Sequence, residues 1–171
     1  MDIVVGANYR MYRPNSHGTI FSDTNDVKIT NSEFGVYGGL EKRFLDSLLK
    51  INATLRVDKN ENFDVLFSPA VSAVYTLNKS SFRASFSSAI RNPTLADQYL
   101  YYNVGRAILV GNLNGFDSLV AIPSLLDFIN TQKYDTLDFF NVKPLRPEQV
   151  KSIEVGYRAS LFQHLFVDMS Y

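Results

Sequence analysis

Polar and apolar residues alternate with a period of two along most of this 171-residue chain, as expected of strands with one face in an apolar environment. From Lys50 to Asp58, Ile51, Ala53, Leu55 and Val57 fall on one face, and Lys50, Asn52, Thr54, Arg56 and Asp58 on the other. A helix would scatter these charges around its circumference. Phe67, Val71, Ala73 and Tyr75 likewise oppose Ser68, Ala70, Ser72 and Thr76, a polar face that is small rather than charged. Phe82, Ala84, Phe86 and Ile90 oppose Arg83, Ser85, Ser87 and Arg91, and Ile153, Val155, Tyr157 and Ala159 oppose Ser152, Glu154, Gly156 and Arg158. The last stretch sets Leu165, Val167, Met169 and Tyr171 against His164, Phe166, Asp168 and Ser170. Near the start, Ile3, Val5, Ala7, Tyr9 and Met11 alternate with Asp2, Val4, Gly6, Asn8 and Arg10, and a weaker strand runs from Glu33 to Phe44. The pattern predicts about seven strands, most of them about the 9 to 11 residues of a tilted membrane strand.

The expected connections alternate in length. Long or moderate ones (Pro14 to Ser32, Lys59 to Phe63, and more than fifty residues before Glu148) fall at one end. Tight turns near Leu45 to Leu48, Asn78 to Ser80 and Leu161 to Gln163 fall at the other. This is the loop asymmetry of an outer-membrane barrel, with the long loops outside. A soluble β-sandwich also reads apolar in and polar out, but has no need of loops sorted by length. Arg or Lys facing lipid at mid-membrane costs about 2 to 4 kcal/mol, so the faces with Arg56, Arg83 and Arg158 are expected in the lumen. The fold class is therefore all-β: an antiparallel, up-and-down transmembrane β-barrel segment with long extracellular loops and one short loop helix.

Composition is compatible with this and removes other classes. Phe and Tyr are abundant (13 and 10) while Cys and Trp are absent, so there is no disulfide framework and no thiolate metal site. Formal net charge is zero, and no basic excess or stripe marks a nucleic-acid binder. No run approaches the roughly 20 apolar residues of a transmembrane helix, which leaves a barrel as the membrane-spanning option. Met1 leads straight into a strand without signal-peptide character, so the natural N-terminus of an exported protein is expected elsewhere.

Two strings carry a resemblance to a known family. Phe82-Arg-Ala-Ser-Phe-Ser-Ser-Ala-Ile-Arg-Asn-Pro-Thr-Leu-Ala-Asp-Gln-Tyr99 resembles the FR-x-PT-L-x-E/D-x-Y passage of TonB-dependent receptors. Leu145-Arg-Pro-Glu-Gln-Val-Lys-Ser-Ile-Glu-Val-Gly-Tyr157 resembles their L-K/R-PE…E-x-G-x-R/Y passage. Ser16 to Thr24 and Phe67 to Tyr75 are also similar to barrel passages of these receptors. The resemblance implies a partial receptor β-barrel domain over 1–171, with outer loops at about 14–32 and 93–147. It implies uptake of a scarce nutrient across the bacterial outer membrane: siderophore-bound iron, cobalamin or a glycan. Receptors of this kind have an N-terminal plug inside a barrel of twenty-two strands and draw energy from the TonB complex. Neither the plug nor enough strands is found, so an excised or incomplete piece is expected. Outer-membrane lipid, the TonB complex through the missing plug, and a small-molecule or glycan substrate are the implied partners.

Substrate in such receptors meets the outer loops and the outer end of the lumen wall. By strand direction that places Tyr12, Arg13, Arg91 and Asn92 among the candidates, and the loop after Pro93 adds Asp97, Gln98, Tyr101 and Tyr102. Aromatic rings with hydrogen-bonding groups suit a sugar, an aromatic chelator or a corrin ring; girdle or loop packing is the structural alternative. Arg91 also has a structural reading, pairing with Glu148 or Glu154 on an adjacent strand. Leu119 to Ile129 is apolar and predicts a short helix starting near Pro123. It either packs on other loops, acts as a lid, or docks a surface lipoprotein. Asp58 to Asp64 spaces oxygen ligands alternately, but lacks the Gly and distal Glu of a calcium loop, and reads as a solvated hairpin loop. His17 and His164 lie at opposite ends of the expected barrel. With no catalytic motif, metal site or cofactor site, the chain is expected to perform no catalysis of its own. The rival classes are an outer-membrane barrel enzyme and a soluble β-rich binding module.

Overall fold

The fold was taken from a computed structural model, which describes residues 1–25, 27–161 and 165–171. The chain divides into two compact units. The first holds Met1–Tyr12, Thr30–Asn92 and Pro147–Tyr171, and the second Arg13–Ile29 and Pro93–Arg146.

In chain order the elements are β1 (Asp2–Tyr12), β2 (Asn31–Phe44), β3 (Leu49–Asn60), β4 (Leu66–Leu77) and β5 (Ser80–Arg91). Then come α1 (Leu95–Tyr99), β6 (Tyr101–Asn103), β7 (Ile108–Val110), β8 (Phe116–Val120), α2 (Ile122–Thr131) and β9 (Phe139–Val142). The long strand β10 (Glu148–Leu161) and β11 (Leu165–Ser170) complete the chain. The first unit is one seven-stranded antiparallel sheet in the order β1-β2-β3-β4-β5-β10-β11. Among the described residues β1 pairs only with β2 and β11 only with β10, so the sheet is open at both edges.

The expected strand number holds for this sheet, but most strands exceed the expected length, reaching 14 residues in β2 and β10. They run past the alternating stretches because polar rim residues extend the ladder. Residues 45–48 and 78–79 form the tight turns at one end. Leu45, Asp46, Ser47 and Asn78 all adopt positive φ there, the twist a short hairpin needs. The turn expected after Leu161 falls on residues 162–164, outside the described residues, as does His164. The connections after β1, β3 and β5 lie at the opposite end of the sheet, as the antiparallel meander requires.

Register merges the strand patterns into two faces. Ala7, Val36, Val57 and Phe67 are register neighbours, as are Val71, Phe86 and Ile153. One apolar face thus crosses the whole sheet, and it is exposed: Val5 is 77% and Ile153 76% accessible.

Aromatic residues bound this face at two levels, a row at the turn end and a pair at the loop end. At the turn end, Phe44, Leu49, Tyr75, Phe82, Tyr157 and Met169 form one register row across β2, β3, β4, β5, β10 and β11. The Phe82 and Tyr157 ring centroids lie 4.8 Å apart, and Lys42 sits over Phe44 at 4.9 Å. At the loop end Tyr9 opposes Phe34. Phe34 and Phe44 are ten residues apart on β2, about 33 Å along a strand rising roughly 3.3 Å per residue. At a tilt of about 40° this is about 25 Å of height, the thickness of the apolar band of an outer-membrane barrel.

Gly38, Leu55 and Pro69 form the row midway between these belts. Leu55→Arg in the protein reconstituted in phospholipid is therefore expected to lower the unfolding free energy by about 2 to 4 kcal/mol. Thr54→Arg, one residue away on the polar face, is expected to be close to neutral. Denaturant unfolding of both variants checks this; a costlier Thr54 substitution would reverse the assignment of faces.

Candidate functional site

The opposite face of the sheet is polar, and its charges are matched. Arg10 lies 3.5 Å from Glu33, Lys50 2.8 Å from Glu41, and Arg43 4.0 Å from Glu41. Arg56 donates to Asp58 through Nε and Nη2, both at 2.6 Å, and Nη2 also reaches Asn8 Oδ1 at 2.9 Å. Arg83 bridges Glu154 at 3.2 Å and Asp168 at 3.9 Å, and Arg158 donates to the same Asp168 at 2.6 Å. Arg91 lies 3.8 Å from Glu148, directly opposite in register; Glu154, the alternative partner, belongs to Arg83. Solvent-exposed pairs of this kind contribute only about 0.2 to 1 kcal/mol each. Their consequence is neutrality: Arg10, Arg43, Lys50, Arg56, Arg83, Arg91 and Arg158 each have a carboxylate within 4.0 Å.

Two glycines let large side chains lie flat on this face. A Cβ at Gly156 would run into the Arg83 side chain, and one at Gly6 would run into the Tyr37 ring. The missing Cβ gives Arg83 a path across β10 to Asp168 on β11. An open depression of about 280 Å³ lies on this side between Asp2, Tyr37, Glu41, Asn52 and Thr54. It is small for a ligand pocket, and it holds none of the candidate residues.

Amides cluster at the loop end. Asn60, 1% exposed, donates from Nδ2 to Asn31 Oδ1 at 2.8 Å and to Glu33 Oε1 at 3.0 Å. Asn92 Nδ2 donates to the same Glu33 oxygen at 3.2 Å. Glu61 accepts from the backbone N–H and hydroxyl of Ser32 at 2.9 and 3.1 Å, closing the β3–β4 loop onto β2. The Asp58 to Asp64 stretch is thus a hydrogen-bonded hairpin loop, and among the described residues no group of three potential metal ligands forms.

The sequence candidates distribute over both units. Tyr12, Arg91 and Asn92 belong to the sheet, Tyr12 and Arg91 on its polar face; Arg13, Asp97, Gln98, Tyr101 and Tyr102 belong to the second unit. There the stretch after Pro93 is helical, not irregular. Thr94 Oγ1 accepts from the Asp97 N–H at 3.2 Å, and Asp97 Oδ2 accepts from the Thr94 N–H at 2.8 Å. This capping box opens α1. Gln98 is 4% exposed and donates to the Pro93 carbonyl at 2.8 Å. Tyr101 and Tyr102 are adjacent on β6, opposite Val110 and Leu109 of β7, so their rings leave opposite faces of the hairpin. The Thr94–Asp97 spacing was a readable capping signal; the two-faced hairpin had none strong enough to read.

The apolar stretch forms α2 with Pro123 in its first turn, as expected. Phe128 packs on Tyr134 at 5.1 Å between ring centroids, while Ile122, Leu125, Leu126 and Ile129 are exposed. The 14–32 region is tied by Asp23, 7% exposed. Its carboxylate accepts from the Ser16 N–H at 2.5 Å, the Ser16 hydroxyl at 2.6 Å and the Gly18 N–H at 2.8 Å. The Ser16 hydroxyl and N–H, followed by the Gly18 N–H, hold Asp23 down from the ordinary 3.8 to about 2.

A family model described as TonB dependent receptor-like, beta-barrel matches residues 2–171. The chain belongs to this family. Among solved structures, the siderophore receptor PirA from Pseudomonas aeruginosa aligns with a TM-score of 0.57 and 18% identity, over 93% of this chain and 26% of that one. At that identity the likeness speaks for the fold, and the chain spans about a quarter of that receptor's length. No curated protein matches it. The receptor-barrel resemblance read from the motifs thus agrees with the family and with the sheet.

Asp23 also makes the loop acid-sensitive in a defined direction. Its folded pKa lies below its unfolded value, so its stabilising contribution is complete above about pH 4 and is lost as pH falls through about 2. Hydrogen exchange at Ser16 and Gly18 in the intact receptor is expected to accelerate over that window. Asp23→Asn is expected to show faster exchange already at neutral pH and little further change on acidification.

Proposed function

We propose that the chain is a stretch of the barrel wall and outer loops of a TonB-dependent transporter in the bacterial outer membrane. The transporter takes up a scarce nutrient: siderophore-bound iron, cobalamin or a glycan. The observation that carries this reading is the exposed apolar face between an aromatic row at the turn end and the Tyr9–Phe34 pair at the loop end, about 25 Å apart in height. A soluble β-sandwich would bury such a face. An outer-membrane enzyme would need acid, base or nucleophile groups converging at one rim, whereas Glu33, Glu41, Asp58, Glu148, Glu154 and Asp168 of the polar face are engaged in ion pairs.

Outer-membrane lipid is the proposed partner of the apolar face, and the TonB complex acts through a plug elsewhere in the whole receptor. The domain reading, a partial barrel over 1–171 with outer loops at about 14–32 and 93–147, stands with this proposal. Family membership and a siderophore receptor as structural neighbour both support transport over catalysis.

Substrate contact is proposed for the outer set Tyr12, Arg13, Arg91, Asn92, Asp97, Gln98, Tyr101 and Tyr102. Within it, Asp97 and Gln98 act mainly by holding α1, because their side chains serve its cap and the Pro93 carbonyl. Tyr101 and Tyr102 are the groups free to stack, one on each face of the β6–β7 hairpin. Stacking on an aromatic side chain contributes about 0.5 to 1.5 kcal/mol.

Growth of a strain lacking the whole receptor gene, with ferric siderophore, cobalamin or glycan as the limiting nutrient, tests the reading. One of the three is expected to become growth-limiting and to depend on TonB; growth unchanged on all three overturns it. Because the rings face opposite ways, Tyr101→Ala and Tyr102→Ala are expected to differ. One should weaken the apparent affinity for that nutrient about threefold to tenfold, and the other little. Equal losses would mean that the ligand reaches both faces.

A further inference from the structure

Within the second unit, Ser16 to Asp23 close into a small loop around one hydroxyl. Ser16 Oγ donates to Asp23 Oδ1 at 2.6 Å and accepts the N–H groups of Phe21 at 2.9 Å and Ile20 at 3.2 Å. A serine hydroxyl has one hydrogen and two lone pairs, so its capacity is fully used. The Asp23 carboxylate also takes the Ser16 and Gly18 N–H groups, and the Ser16 carbonyl takes the N–H and hydroxyl of Thr19 at 3.1 and 2.6 Å. The chain turns through Gly18 at φ +74°, where a Cβ would stand 2.7 Å from Thr24 Cγ2. Only glycine adopts that turn without strain.

The closed loop presents a strand edge to the root of β6. Phe21 bridges Leu100 in antiparallel sense, Ile20 accepts the Tyr101 N–H at 2.8 Å, and the Ser22 N–H donates to Tyr99 at 3.0 Å. Successive N–H groups of a strand point to opposite edges. Phe21 accordingly gives its N–H to Ser16, away from β6. The same alternation divides the two tyrosines. Leu100 accepts from Gly111 at 2.7 Å and Val104 donates to Ala107 at 3.0 Å, so the even positions of this stretch, Tyr102 among them, face β7. Tyr101 falls on the other edge, and its N–H is served by Ile20. Tyr101 therefore lies where the stretch is flanked on both sides, and Tyr102 just beyond, where β7 flanks it on one.

We propose that Ser16 and Asp23 form a clamp that positions Tyr101 as the stacking ring for substrate. A side chain on a strand held at both edges is ordered before the ligand arrives, which spares the ordering that otherwise weakens binding. Ser16 and Asp23 act through the Ile20 carbonyl and are positioning residues. The clamp stands on the geometry of residues 16–23 and 99–111; its effect on substrate rests on the receptor reading above.

The test compares the whole protein as wild type, Ser16→Ala, Ser16→Thr, Tyr101→Ala and Ser16→Ala/Tyr101→Ala. Residue-resolved hydrogen exchange in Ser16→Ala is expected to accelerate on the order of tenfold at Tyr101 and little at Tyr102, with Ser16→Thr close to wild type. Uptake of the limiting nutrient by Ser16→Ala is expected to keep its maximal rate while the apparent affinity weakens about threefold to tenfold. In the Tyr101→Ala background the same serine change is expected to cost nothing further. Wild-type exchange at Tyr101, or equal acceleration at Tyr101 and Tyr102, would overturn the clamp. Losses that multiply in the double variant, or wild-type affinity in Ser16→Ala despite faster exchange, would overturn its action on substrate through Tyr101. If the wild-type protein supports growth on none of the three nutrients, the receptor reading fails, and exchange at Tyr101 still decides the clamp.

Discussion

The antiparallel ladder is the constraint on which the sheet depends. A peptide group withdrawn from water and left unpaired costs several kcal/mol, so neighbouring strands pair in register along the length of the sheet. Pairing in register then decides the faces, because a slip of one residue would exchange every side chain between lipid and lumen. Leu55 and Arg56 are adjacent in sequence, yet lie on the apolar and the polar face of the sheet respectively. The edges at β1 and β11, each paired on one side only among the described residues, carry rows of peptide groups without a strand partner.

The polar face shows how a wall of mixed charge stays compact without a hydrophobic core. Arg56 with Asp58, Arg83 with Glu154 and Asp168, and Arg158 with Asp168 are weak pairs individually. Together they leave little net field on the wall. Their geometry depends on residues that contribute no side chain: Gly6 makes room for the Tyr37 ring, and Gly156 for the Arg83 stem.

At the loop end side-chain amides and a carboxylate take over from ladder hydrogen bonds. Asn92 donates to Glu33 there, beside the buried Asn31 and Asn60 amides. The second unit holds itself together by local means, with Asp23 gathering the Ser16 and Gly18 donors and Thr94 with Asp97 opening α1.

Alternation at Lys50 to Asp58 and Ile153 to Ala159 was enough to assign strands, faces and loop ends, because period two is a property of the strand itself. Arg91 with Glu148 was likewise legible, as partners flanking one long connection. Pro123 marked the start of α2 from sequence alone. What tertiary structure alone decided were the contacts between residues distant in sequence. Glu33, Asn60 and Asn92 meet only because the sheet curls. Tyr101 and Tyr102 part company only because β7 returns beside β6. The aromatic row from Phe44 to Met169 exists only once six strands are in register. Sequence determines the pattern within each strand through local geometry, whereas register and curvature are set by all the strands pairing at once, and no local string encodes them.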